Sequence, residues 1–259
     1  MDILVNKLNF SYGSNVILKD INFSFNNNDG GKVIGIIGPN GTGKSSLIRC
    51  MAGFHKDVKQ NILIDDIAYD DMDKKYITSN ISYLPQSLNI NAHLTAFEIV
   101  LLAYKSNSSY RVKDDDLKNV SDIFKYLSIE HLANKSILEM SGGQKQLVFL
   151  AKSLLFKKSI MLLDEPTSAL DIYHQIKMMK LIAKSTYENK SITFVALHDL
   201  NLVSRFCDEV MVLHNSTIRN IGTIDEVFNK TFFKNVYNMD CYIGKTDKGN
   251  IVIQAEDII

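Results

Sequence analysis

The sequence predicts an α/β fold with a mostly parallel sheet, an antiparallel β part at the N terminus and an α-helical subdomain. Residues 32–37 form an apolar, β-branched run typical of a buried parallel strand, and a glycine-rich loop and a helical pattern follow directly. Residues 3–10 and 16–25 alternate apolar with polar residues, which indicates an antiparallel pair. Residues 93–131 follow helical periodicity and interrupt the strand-like segments.

The glycine-rich loop, residues 38–45, matches the phosphate-loop pattern G-x-x-x-x-G-K-[ST] at every fixed position. Glycines let the backbone wrap around phosphates, and the helix that follows turns its positive end toward the anion. Lys44 adds a positive charge, and the Ser45 hydroxyl is a ligand type that Mg²⁺ accepts. The loop therefore predicts a phosphate-loop NTPase core. Its candidate nucleotide-binding residues are Gly38, Pro39, Asn40, Gly41, Thr42, Gly43, Lys44, Ser45 and Ser46.

Length and composition limit the other possibilities. With 259 residues, the chain has room for one large α/β domain with a smaller subdomain. The 29 basic residues balance the 29 acidic residues, so no overall field favours nucleic acid as a partner. No apolar run has the length of a membrane span, and no signal peptide opens the chain, so a soluble, cytosolic protein is expected. The three widely spaced cysteines predict buried, reduced thiols.

Two residues near predicted strand ends are candidates with an alternative each. Tyr12 lies at the turn between the first two strands, where an aromatic ring either stacks on a nucleotide base or simply packs. Strands are predicted at 61–66 and 80–84, and Gln86 follows the second one. Ligands of α/β sheets gather at the carboxyl ends of strands, where a glutamine can reach a metal ion or a water. The residues alone leave both roles open.

A second candidate phosphate-binding element opens the helical pattern of residues 141–155. A hydroxyl and two glycines at a helix start form an anion-binding nest. Because the chain has two such nests but a single phosphate-loop lysine, the second one makes sense if it serves a nucleotide held by another molecule. Its residues are Ser141, Gly142, Gly143 and Gln144.

Two further buried strands end in candidate catalytic residues. The strand predicted at 159–165 ends in Asp164 and Glu165, and such an acidic pair is the expected partner for Mg²⁺ and water. Asp164 would hold the ion through water, and Glu165 would orient and polarise the attacking water. The strand predicted at 191–197 ends before His198, which either donates to the γ-phosphate or packs as an ordinary histidine.

The phosphate loop, residues 141–144, the acidic pair and His198, in this order, resemble the ATPase subunits of ATP-binding-cassette (ABC) transporters. The Ser-Gly-Gly-Gln signature separates this family from other phosphate-loop enzymes. The resemblance implies that Tyr12 stacks on adenine, that Gln86 is the Q-loop residue and that His198 is the switch histidine. It also implies that Asp171 closes the D-loop, residues 168–171.

In that family, two subunits close head to tail around two ATP molecules, so the resemblance implies a second copy of this chain as a partner. Residues 141–144 of one copy would complete the site of the other. The resemblance assigns catalysis to Glu165, His198, Gln86 and Lys44. It assigns the binding of Mg²⁺ to Ser45, Gln86 and Asp164. Residues 1–259 would form a single ABC ATPase domain, with a core at 1–88 and 152–225, a helical subdomain at 89–151 and a C-terminal extension at 226–259.

A narrower resemblance lies in residues 170–175 and 198–208, which look like the importer ATPases of iron–siderophore, haem and cobalamin permeases. It implies integral-membrane permease subunits as partners, an external substrate-binding protein acting indirectly, and a peripheral location on the cytoplasmic face of the cell membrane. Met140 and Lys145 depart from the usual leucine and arginine but keep size or charge. The alternatives are an importer ATPase for free zinc or manganese ions and a soluble ABC ATPase without a transporter.

Overall fold

The computed structural model describes residues 1–87, 92–105 and 111–258. Within these ranges the chain forms twelve strands and nine α-helices. The strands are β1 (Asp2–Tyr12), β2 (Asn15–Asn26), β3 (Lys32–Ile37), β4 (Ile62–Ile64), β5 (Ile67–Ala68), β6 (Ile81–Leu84), β7 (Ile160–Asp164), β8 (Ile192–Ala196), β9 (Glu209–His214), β10 (Thr217–Thr223), β11 (Met239–Lys245) and β12 (Ile251–Ile258). The helices are α1 (Lys44–Met51), α2 (Lys74–Asn80), α3 (Ala96–Lys105), α4 (Asp114–Leu127), α5 (Gly142–Leu154), α6 (Ile172–Asn189), α7 (Leu200–Phe206), α8 (Ile224–Val227) and α9 (Lys230–Tyr237).

The central sheet has six strands in the order β10-β9-β3-β8-β7-β6. All neighbouring pairs are parallel except β9 and β10, which form an antiparallel hairpin. The carboxyl ends of β3, β8, β7 and β6 therefore meet at one edge, and the candidate catalytic residues leave the sheet there. The predicted α/β class with a mostly parallel sheet is confirmed.

A second, antiparallel sheet contains β2, β1, β4 and β5 in that order. The burial of β1 and β2 follows the apolar–polar alternation of their sequences, so each strand turns one face toward the core. On β8, the ring of Phe194 lies 5.5 Å from that of Phe25 and 6.0 Å from that of Phe23. The N-terminal antiparallel part predicted from the sequence thus packs against one face of the central sheet.

Helices α3, α4 and α5 pack against one another and share a core with the other face of the central sheet. Val100 of α3, Phe124 of α4 and Val148 of α5 are buried in this core together with Val33 of β3. Residues 89–91 and 106–110 of the predicted helical subdomain lie outside the described residues. The predicted boundaries of the subdomain stay a prediction.

The C-terminal residues form α8, α9 and a two-stranded sheet of β11 and β12. Phe228, Phe232 and Phe233 cluster with ring centroids 4.9–5.7 Å apart, and Ile251 and Ile253 of β12 join the same core as the helices. The extension is thus packed onto the core.

Two expectations from composition concern thiols and membrane spans. The three cysteines are free and buried, as predicted, and burial raises the pKa of the Cys50 thiol to about 12. Among the helices in the described ranges, none combines the length and the apolar character needed to cross a bilayer.

Phe194→Ala is expected to lower the free energy of unfolding by about 3–5 kcal/mol, because it removes a fully buried ring between the two sheets. Urea denaturation followed by circular dichroism measures this loss. Phe54→Ala is the matched control, since the Phe54 side chain is 62% exposed and its removal leaves little cavity. Equal effects of the two substitutions would contradict the packing described here.

Candidate nucleotide site

The loop between β3 and α1 has a backbone path that requires glycine at defined positions. Gly43, a fixed position of the motif, has φ +99°, in the left-handed region that side chains disfavour. At Gly38, a Cβ would lie 2.0 Å from the backbone oxygen of Leu213, so a side chain there would collide with β9. The Thr42 hydroxyl donates to the Pro39 carbonyl at 2.9 Å and closes the loop. The glycines of the motif therefore allow the backbone conformation that the loop adopts.

Lys44 begins α1 and is nearly buried, with 5% of its surface exposed. Its Nζ donates to the backbone oxygens of Gly38 at 2.7 Å and Pro39 at 3.0 Å, which holds the ammonium across the loop. Burial lowers the pKa of Lys44, whereas the nearby carboxylates Glu165 and Asp164 act in the opposite direction. An anion placed in the loop would meet this poorly solvated positive charge directly.

Asp164 lies at the end of β7, beneath the loop. The Ser45 hydroxyl donates to its Oδ1 at 2.7 Å, and its Oδ2 is buried with no hydrogen-bond partner among the described residues. Burial raises the pKa of Asp164, and the hydrogen bond from Ser45 partly offsets this rise. A buried, unpartnered carboxylate oxygen is costly unless something pairs with it, so this atom indicates a ligand.

Glu165 follows directly and has φ +49°, a left-handed conformation that turns the chain where β7 ends. Gln86, from the end of β6, donates through Nε2 to Glu165 Oε2 at 2.6 Å. His198, from the end of β8, places Nε2 2.5 Å from Glu165 Oε1. Three neighbouring strands thus bring together three side chains that are far apart in sequence, and both oxygens of the carboxylate are held.

These groups border a cleft of about 370 Å³. The cleft brings together most of the predicted loop and catalytic residues, with Asp164 hydrogen-bonded beneath it. Its lining residues are Ile17, Asn40, Gly41, Gly43, Lys44, Ser45, Ser46, Gln86, Glu165 and His198. Polar donors, one lysine and an oriented carboxylate around a glycine-rich loop suit a nucleotide polyphosphate and an attacking water.

The residues of the second predicted nest lie elsewhere and do not line this cleft. Ser141 caps α5 by accepting the N–H of Gln144 at 3.3 Å, and the Gln144 Oε1 accepts the N–H of Ser141 at the same distance. A Cβ at Gly142 would contact Ala169, and a Cβ at Gly143 would lie 2.8 Å from Leu170 Cδ2. The nest is therefore preformed and packed against the residues that follow Glu165.

Tyr12 and Asp171 also do not line the cleft, and their roles, like those of the residues that line it, stay predictions. The Tyr12 side chain is half-exposed, and its ring meets the ring of Phe10 edge-on at 4.8 Å. Asp171 caps α6 by accepting the N–H of His174 at 2.9 Å. Either residue would need a nucleotide or a second chain beside it to act as predicted.

Two features of the site were missed in the sequence. Ile17 of β2 lines the cleft, and a Cβ at Gly43 would lie 3.1 Å from its Cγ2. Gln146, one turn into α5, donates to the Ser168 hydroxyl at 3.3 Å, and this hydroxyl donates to the Glu165 carbonyl at 3.1 Å. Both depend on contacts between distant segments, which local periodicity does not reveal.

The ABC transporter family model matches residues 18–168, which is more than half of the chain. The chain belongs to the ABC transporter family. An uncharacterized ABC transporter ATP-binding protein of Methanocaldococcus jannaschii is 35% identical, covering 94% of this chain and 94% of its own length. The iron(3+)-hydroxamate import ATP-binding protein FhuC of Bacillus subtilis is 30% identical, covering 92% and 88%. The hemin import ATP-binding protein HmuV of Pseudomonas aeruginosa is 31% identical, covering 87% and 89%.

Solved structures of ABC proteins have the same fold. A metal-chelate type ABC transporter in an inward-facing conformation superimposes with a TM-score of 0.80 over 97% of each chain, at 22% identity. A dimeric, post-hydrolysis ATP-binding cassette bound to ADP and phosphate gives a TM-score of 0.75 at 28% identity, covering 86% of this chain and 99% of that one. The predicted resemblance is confirmed, and the chain is an ABC ATPase that binds ATP.

Proposed function

We propose that this ABC ATPase powers the import of an iron–siderophore complex, or of haem or cobalamin, through a membrane permease. The observation that carries the ATPase part is the Glu165 carboxylate, held by Gln86 and His198 at the rim of the phosphate-loop cleft. The names of two relatives, an iron(3+)-hydroxamate and a hemin import protein, support the class of cargo.

In the proposed reaction, a water attacks the γ-phosphorus of ATP in line with the leaving ADP oxygen. The backbone N–H groups of the loop and Lys44 hold the phosphates and stabilise their negative charge. Glu165 accepts a hydrogen bond from the water and orients it, and the proton moves toward this carboxylate as the new P–O bond forms. His198 would donate to the γ-phosphate. Positioning and charge stabilisation supply most of the acceleration.

The residues beneath the loop fit Mg²⁺. The ion takes hard oxygen ligands, and the unpartnered Oδ2 of Asp164, the Ser45 hydroxyl and the Gln86 side-chain oxygen are of this type. Asp164 would hold the ion through water, with Ser45 and Gln86 as direct ligands. When bound, Mg²⁺ would neutralise phosphate charge that Lys44 alone does not offset.

Asp164→Asn is expected to raise the melting temperature of the nucleotide-free protein while lowering ATP hydrolysis by about 10–100-fold. Burial raises the pKa of this carboxyl, so its charged form destabilises the folded state above that pKa. As pH falls, the folded protein takes up the proton first and the penalty is relieved. The stability advantage of the asparagine variant should therefore shrink toward low pH. Calorimetry across a pH series measures this, and a variant no more stable than wild type at neutral pH would contradict it.

We further propose that each ATP is held between two copies of the chain. The residues of the preformed nest at Ser141 do not line the chain's own cleft, which supports their use by a second copy. A related cassette at 28% identity is dimeric with ADP and phosphate bound, which supports the same arrangement here. The signature residues Ser141, Gly143 and Gln144 would then act on the partner's nucleotide.

The permease would dock on a groove lined by residues of β6, the strand that precedes Gln86, and of α3. Phe54 and Leu102 expose 62% and 58% of their side chains there, and Tyr83 and Leu94 line the same groove of about 640 Å³. Exposed apolar surface of this kind indicates an interaction site. With the permease in the membrane, this chain would lie peripherally on the cytoplasmic face, and an external binding protein would deliver the cargo.

Transport measurements test the cargo. Membrane vesicles containing the permease and this chain should take up a ferric hydroxamate only when ATP is supplied on the side of the ATPase, and Glu165→Gln should abolish this uptake. Uptake of free zinc or manganese instead would favour the alternative importer. If no integral-membrane protein co-purifies with the chain, a non-transport ABC ATPase becomes the better description.

A further inference from the structure

The two-stranded C-terminal sheet of β11 and β12 is hydrogen-bonded to α7, the helix that follows His198. Asn201, the second residue of α7, accepts the backbone N–H of Ile253 through Oδ1 at 2.9 Å and donates through Nδ2 to the Ile253 carbonyl at 3.2 Å. One turn later, the Ser204 hydroxyl donates to the carbonyl of Ile251 at 2.6 Å. Because Ile251 and Ile253 are two residues apart on β12, both present their backbone groups on the same edge.

These bonds lie on the strand edge that β11 leaves free, and the strand is buried where it meets the helix. Ile251 and Ile253 share a core with Leu202 and Val203 of α7. Two bonds between one amide side chain and one residue's backbone fix the helix relative to β12 in both distance and orientation. Loss of the amide would leave a donor and an acceptor on β12 without these partners.

The position of α7 matters because it begins two residues after His198. Asp199 caps the helix by accepting the N–H groups of Asn201 at 2.8 Å and Leu202 at 3.2 Å. The helix has only seven residues, so its position depends on tertiary contacts rather than on its own stability. His198 Nε2 is 2.5 Å from Glu165, and a displacement of about 1 Å would remove that contact.

We propose that Asn201 is a positioning residue for ATP hydrolysis, which binds the backbone of β12 and thereby holds His198 beside Glu165. The C-terminal extension thus serves as part of the catalytic scaffold. This inference rests on the proposed role of His198 in hydrolysis.

Asn201→Ala should lower kcat for ATP hydrolysis on the order of tenfold, with KM for ATP within about twofold of wild type. Ser204→Ala should shift kcat in the same direction by a smaller factor. Asn201→Asp retains the acceptor for the Ile253 N–H and should recover part of the rate. The matched control is Asn189→Ala, which removes a side-chain hydrogen bond to Ser185 at the far end of α6 and should leave kcat unchanged.

Rates are compared below the melting temperature of each variant, so that a loss of folded protein does not lower kcat. If kcat of Asn201→Ala stays within twofold of wild type while His198→Ala is inactive, the positioning role is wrong and the proposed function stands. If His198→Ala itself keeps wild-type turnover, the assignment of the histidine fails first. Equal losses for Asn201→Ala and Asn189→Ala would also overturn the inference.

Discussion

Glu165→Gln is expected to keep ATP bound but to slow its hydrolysis by about 10²–10⁴-fold. The substitution preserves size, and an amide can still meet Gln86 and His198, which hold the two carboxylate oxygens at 2.6 and 2.5 Å. It removes the negative charge that polarises the attacking water and accepts its proton. Phosphate release measures the hydrolysis rate, and equilibrium dialysis with ATP measures the binding.

Glu188→Gln is the matched control for this experiment. Its carboxylate lies on the exposed side of α6, 3.7 Å from Lys184, and removing its charge should leave both hydrolysis and stability close to wild type. Turnover by Glu165→Gln within a few-fold of wild type would show that another group polarises the water.

Ser141→Asp is expected to abolish most ATP hydrolysis while each isolated chain still binds ATP. Aspartate is as good an N-cap as serine, so it should keep the N–H of Gln144 bonded and α5 stable. It also places a carboxylate beside the proposed position of the partner's γ-phosphate. Because both groups are negatively charged, they repel each other. Hydrolysis should fall by about 10²-fold or more, since oriented groups at such sites contribute to that extent.

Introducing a carboxylate at another N-cap position is the control for this experiment. It shows whether a charged cap lowers hydrolysis wherever it is placed. Asn229 caps α9 by accepting the N–H of Phe232 at 2.9 Å, far from the predicted signature residues in sequence, and Asn229→Asp should leave hydrolysis unchanged. The melting temperatures of both variants should match wild type. If Ser141→Asp hydrolyses ATP normally, the nest at α5 does not face a nucleotide.

The strands and helices of the core could be predicted from the sequence, whereas their arrangement could not. Apolar runs such as that of β3 and the alternation in β1 report which faces are buried, and these predictions are confirmed. The order in which β3, β8, β7 and β6 lie side by side depends on contacts between distant segments. Hydropathy carries no information about which buried strand is a neighbour of which.

The types of residue at the site could be predicted equally well, but their contacts could not. Motif spacing identified Lys44 and Glu165 from their strand and loop context. For His198 the residues alone allowed an ordinary packing role, and for Gln86 they left the role open. The family resemblance predicts their roles as switch histidine and Q-loop residue. The hydrogen bonds of Asn201 to β12 join residues 52 positions apart. They have no local sequence signal, so they can be identified only in the folded structure.

The central claim is that one site needs two chains, because the loop at Lys44 and the nest at Ser141 lie in different parts of each chain. The most direct test is specific ATPase activity as a function of protein concentration, with sedimentation in the same samples reporting the mass. We expect activity per chain to rise with concentration in step with the dimer fraction under ATP. Full activity per chain in samples that remain strictly monomeric would contradict the claim.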